Sequence, residues 1–98
     1  MTYELLIVED DFEIGSDLVA VLGAHGYTAA LTANGVSAVR MVRSHTPQVV
    51  LVDLGLPDMD GLALCRRLRS LRPELAILVV TARSREFDVV MEIGRAHV

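Results

Sequence analysis

Two kinds of hydrophobic pattern alternate along the chain. Leu5–Val8, Val49–Val52 and Ala76–Val80 are short, unbroken aliphatic runs, the pattern of strands buried on both faces. Between them the apolar residues recur at helical spacing. Ile14, Leu18, Val21 and Leu22 give a helix over about residues 12–22, with Asp10 or Asp11 at its start and Gly26 suited to its end. Tyr27–Leu31 is a weaker strand, and Asn34-Gly35 opens a second helix over 35–44 with Val39 and Val42 inward. Leu64, Cys65, Leu68 and Leu71 mark a third helix, starting near Gly61 and closed by Pro73. Ser84 is positioned to cap a fourth, carrying Phe87, Val90 and Met91. The order βαβαβαβα with continuous aliphatic strands predicts an α/β domain, a parallel sheet covered by helices.

Length and charge narrow this picture. Ninety-eight residues make one small domain, and 52% hydrophobic with 22% charged residues is a globular composition. A net charge of −4 argues against direct nucleic-acid binding. The lone Cys65 excludes an intrachain disulfide, and no apolar run reaches the length of a membrane span. A cytoplasmic protein that does not engage membranes is the expectation. All nine basic residues are Arg; the chain has no Lys.

The candidate chemistry lies where strands end. Glu9 and Asp10 follow the first predicted strand, Asp53 the third and Thr81 the fourth. In an open parallel sheet ligands bind beyond the carboxyl ends of the strands. If the first and third strands are neighbours, three carboxylates share one crevice and need a cation, and hard oxygen donors with room for water suit Mg²⁺. Asp58 and Asp60 read as turn formers and caps of the helix that follows. His25, His45 and His97 read as surface residues, Cys65 as core, and Arg66, Arg67, Arg69 and Arg72 as a solvated helix face.

The segments "LLIVEDD", "VVLVDLGLPDMDG" and "ILVVTAR" together resemble the receiver domain of bacterial two-component response regulators, from residue 3 to about residue 91. That resemblance implies a flavodoxin-like doubly wound sheet of order 2-1-3-4, with the family's fifth strand and fifth helix missing. It implies that Asp53 is the phosphoacceptor for a sensor histidine kinase or phosphotransfer protein. Asp10, Asp53 and the Gly55 carbonyl would hold Mg²⁺, with Glu9 reaching it directly or through water. Thr81 would be the switch hydroxyl, Ala82 would leave access to Asp53, and Pro57 and Gly61 would shape the loop after the acceptor. Phe12, Ile14, Gly15 and Leu18 lie on the helix the family uses to dock its kinase. Such a domain is not an enzyme in the usual sense, although it takes part in its own phosphorylation and dephosphorylation.

Phosphatases of the haloacid-dehalogenase type also use an aspartate nucleophile, but they need an acid two residues later, where this chain has Gly55. A dinucleotide fold is disfavoured because no G-x-G-x-x-G follows the first strand. The family's phosphate-contacting Lys has no counterpart, and the closing "IGRAHV" coincides with one reading frame of a common sequencing adapter. Residues 1–91 therefore read as an incomplete receiver domain and 92–98 as a non-native tail. On this reading the 98-residue chain is impaired and Ala76–Val80 is left as a bare sheet edge. Dimerisation through the fourth-helix face would require the native C-terminal portion.

Overall fold

The computed structural model describes residues 3–80 and the backbone of residues 90–92. The elements run β1 (Leu5–Val8), α1 (Phe12–Ala24), β2 (Ala29–Thr32), α2 (Gly35–Ser44), β3 (Val49–Asp53), α3 (Gly61–Leu71), β4 (Ala76–Val80) and β5 (Val90–Glu92). The first four strands form the expected parallel sheet in the order β2-β1-β3-β4. Their registers align whole rows of side chains: Leu6 stands beside Val50, and Val50 beside Ile77. Val8, Val52 and Val79 make the next row.

These rows face one core. Leu6, Val8, Val50, Val52, Ile77 and Val79 pack with Ala38, Val39 and Val42 of α2 and with Leu64, Cys65 and Leu68 of α3. Right-handed crossovers put α2 and α3 together on this face and α1 on the other. Leu5 and Ile7, the alternate residues of β1, are buried on the α1 side. The expectation of strands buried on both faces holds for β1 alone. In β3 and β4 the residues facing the α1 side, among them Leu51, Leu78 and Val80, are half-buried.

Local chemistry sets the helix ends. Asp11 accepts a hydrogen bond from Ile14 N–H at 3.1 Å, Asn34 from Ser37 N–H at 2.8 Å, and Asp60 from Leu62 N–H at 3.2 Å. Gly26 follows α1 at φ +91°, a left-handed conformation that glycine enters without steric penalty.

Two expectations need correcting. Val90 and Met91 belong to no fourth helix; with Glu92 they form β5, antiparallel to β4, pairing Val80 with Val90 and Leu78 with Glu92. The four-stranded parallel sheet thus gains a short antiparallel strand on its β4 side, and β4 is not a bare edge. An unpaired aliphatic edge leaves a row of backbone donors and acceptors exposed, which favours any strand that can reach it. Nine residues separate Val80 from Val90. That is short of the dozen or more a parallel crossover needs, so the chain returns antiparallel. Ser84 and Phe87 lie outside the described residues.

His45 also departs from its surface assignment. It is half-buried, its ring lies edge-on to Tyr3 at 4.8 Å, and its Nε2 is 3.2 Å from the Tyr3 carbonyl. Cys65 is core as expected, 1% exposed, and burial pushes its thiol pKa up to about 11.

Leu64 is fully buried in the layer between α3 and the sheet. Leu64→Ala should cost about 2–5 kcal/mol of unfolding free energy in urea titration, the range for a leucine deleted from a packed core.

Candidate functional site

β1 and β3 are neighbours in register, Val8 beside Val52. The next residues, Glu9 and Asp53, therefore arrive at the same level of the carboxyl edge, with Asp10 one step further on. Glu9, Asp10 and Asp53 each bring a carboxylate oxygen to within 4.8 Å of the others. Glu9 is buried, Asp53 half-buried and Asp10 exposed. Glu9 and Asp53 also line a crevice of about 10 Å³, room for one water, whose other walls include Ile7, Leu18 and Val80.

The electrostatics of this crevice are unfavourable. Burial first, and then the charges of Asp53 and Asp10, raise the Glu9 pKa from 4.5 to about 7. A hydrogen bond from Asp11 N–H to Glu9 Oε2 at 3.1 Å offsets part of this. Three oxygen donors around one point, one of them buried, fit a hard divalent cation. At Mg²⁺–oxygen distances of about 2.1 Å, adjacent oxygens of an octahedron stand about 3 Å apart and opposite ones about 4.2 Å, so the three carboxylates would have to draw in or to bind through water.

The loop after Asp53 is anchored twice beyond the strand. The Gly35 and Val36 amides donate to Asp58 Oδ1 and Oδ2 at 2.8 and 3.0 Å. These bonds hold the Asp58 carboxyl below its ordinary pKa. Asp58 therefore caps α2, and the expectation that it caps the helix following it is corrected; Asp60 does that. The turn itself carries no sign of these contacts, which span 23 and 22 residues of sequence. Gly61 packs against the backbone of Asp53 and Leu54: a Cβ there would lie 2.8 Å from the Asp53 carbonyl oxygen and from Leu54 Cα.

The family model "Response regulator receiver domain" matches residues 5–96. This chain belongs to that family. Among the receiver domain's relatives, the response regulator MprA of Mycobacterium ulcerans is 41% identical over 83 residues, 85% of this chain and 36% of MprA. The chain thus spans little more than a third of the curated relatives it matches. Response regulator TrrA of Thermotoga maritima, solved in complex with Mg²⁺ and BeF, superposes with a TM-score of 0.79 at 27% identity. That match covers 87% of this chain and 73% of TrrA. A response regulator of Burkholderia pseudomallei, solved with a phosphorylated aspartic acid, a calcium ion and citrate, gives a TM-score of 0.75 at 28% identity. It covers 82% of this chain and 47% of that one.

Within the receiver domain, Glu9, Asp10 and Asp53 are thus brought together. Gly55 lies exposed in the loop two residues beyond Asp53. Thr81 and Ala82 lie outside the described residues; Val80, which precedes them, pairs with Asp53 in register. Pro57 is exposed in the same loop. On α1, Gly15 is buried, Ile14 and Leu18 are half-buried, and Phe12 is 73% exposed. Among the described residues no helix is long and apolar enough to cross a membrane.

Two outcomes follow for the metal-free receiver domain. A raised Glu9 pKa means that the folded state holds a proton the unfolded state releases between pH 4.5 and about 7. Stability from this group is complete below that window and lost as pH rises through it. With EDTA present, Glu9→Gln should raise unfolding free energy at pH 8 by roughly 1–3 kcal/mol, a gain that vanishes by about pH 4. Melting curves across this range measure it. Gly61→Ala should destabilise by about 1–3 kcal/mol, because its contacts are backbone atoms that cannot swing away. Gly15→Ala meets only the Leu31 side-chain end and should cost less in the same urea titration.

Proposed function

We propose that the domain receives a phosphoryl group on Asp53 from a histidine kinase or phosphotransfer protein, in the cytoplasm, with Mg²⁺ as cofactor. The observation that carries this reading is the convergence of Glu9, Asp10 and Asp53 at the carboxyl edge of the sheet, with Asp53 as the last residue of β3. Glu9, Asp10, Asp53 and the Gly55 carbonyl are the residues that would hold the ion. When bound, Mg²⁺ supplies the positive charge that lets an anionic nucleophile approach an anionic phosphoryl group.

The remaining work belongs to the chain. An Asp53 oxygen forms the new P–O bond as the P–N bond of phosphohistidine breaks, and the departing imidazole takes up a proton. Because β3 fixes the Asp53 backbone and Gly61 backs it, little ordering is left to the moment of reaction. Asp53 enters as the carboxylate and leaves as an acyl phosphate, adding about −1.5 to −2 charge, by analogy with other phosphorylated side chains. Thr81, next in sequence to the residue in register with Asp53, is the hydroxyl proposed to turn toward that charge. The net charge of −4 supports a protein partner over nucleic acid.

Incubation with acetyl phosphate and Mg²⁺ should give a base-labile acyl phosphate by intact mass, absent in Asp53→Asn. Labelling of that variant at the wild-type rate would move the acceptor elsewhere. Asp10→Asn should weaken Mg²⁺ binding, followed by NMR titration, by roughly tenfold or more, since even outer-shell changes cost that much.

A further inference from the structure

A second concavity lies away from the acidic edge, between α2 and α3. It is a groove of about 550 Å³. Val36, Val39 and Met59 supply its apolar surface, and Arg40, Arg43 and Arg67 its charge; among the described residues no acidic one lines it. Arg40 and Arg43 sit one turn apart on α2, with Arg67 contributed by α3. All three arginines are exposed. Met59 reaches the groove because Gly35 has no side chain: a Cβ there would meet the Met59 thioether at 2.6 Å.

The geometry points to an acidic amphipathic peptide segment of a partner protein as the occupant of this groove, its aliphatic side chains on Val36, Val39 and Met59 and its carboxylates on Arg40, Arg43 and Arg67. Three features select that chemistry. Among the described residues the apolar wall is made of Val36, Val39 and Met59, with no aromatic face on which a nucleotide base could stack. The backbone amides at the start of α2, the usual cradle for a phosphate, are already taken: Gly35 and Val36 donate to Asp58, and Ser37 donates to Asn34. The guanidinium groups are spread along the groove, which suits several spaced carboxylates better than one compact anion. From Val36 to Ser44 it follows α2 for about 12 Å, two turns of a docked helix. In a chain of net charge −4, these arginines also give an acidic partner a local point of attraction.

The test is an NMR titration of the ¹⁵N-labelled chain with a helical peptide of about 12 residues, glutamate on one face and leucine on the other. Controls carry Gln for Glu or Ser for Leu; a further arm uses AMP. The Glu/Leu peptide should shift the amides of Val36, Arg40, Arg43 and Arg67, and its binding should weaken as salt rises. Arg40→Glu with Arg67→Glu, a pair of exposed sites, should weaken it roughly tenfold or more. Val36→Ser should weaken it without changing the salt dependence. Equal binding by either control peptide, indifference to charge reversal, or shifts confined to α1 would overturn the assignment. Tighter binding of AMP at the same amides would make the groove a small-anion site and overturn it as well.

Discussion

Glu9 is a buried carboxyl group beside two other acids, and the arrangement at the sheet edge turns on that fact. Parallel register puts Glu9 and Asp53 at one level, and the turn into α1 adds Asp10. Folding thus gathers like charges where water is scarce. The backbone answers in part, through the Asp11 amide on Glu9, and the proton Glu9 keeps to about pH 7 answers in part. A crevice that holds its negative charge this reluctantly is matched to a cation, and is a poor place for an anion to arrive without one. The proposed metal affinity and the proposed phosphoryl transfer at Asp53 would in this sense be two expressions of the same unrelieved field.

What keeps the acids in place is the core on the opposite side of the strands from α1. Leu6, Val8, Val50 and Val52 lie under α2 and α3, so β1 and β3 cannot slip by one residue without turning their buried row outward. The core therefore also fixes the acids' register. The α1 face is less fully covered, and β3 and β4 show half-buried residues there. The precision of the site derives from the better-packed layer.

Much of this was readable from residues alone. Unbroken aliphatic runs located β1, β3 and β4, and Asn34-Gly35, Gly26 and Asp60 marked turns and caps through local chemistry. The grouping of Glu9, Asp10 and Asp53 followed from one assumption, that the first and third strands are adjacent. What was not readable depends on distant partners. Asp58 looks like any turn acid until α2 arrives beside it. His45 looks exposed until Tyr3 closes over it. Val90 and Met91 fit a helical spacing with Phe87, yet an available edge on β4 overrides so short a local signal. Likewise the α2–α3 groove draws its arginines from two helices and its methionine from a loop, so no single stretch of sequence announces it.

The double hydrogen bond from α2 to Asp58 has an entropic consequence. The seven residues from Leu54 to Asp60 would be free, as an ordinary loop, to sample many shapes, and fixing each backbone position costs roughly 1–2 kcal/mol. Here the segment is tied at β3, at its middle through Asp58, and at the start of α3 through Asp60. Most of its freedom is surrendered when the domain folds, so a ligand arriving beside Asp53 meets a loop that already has its shape.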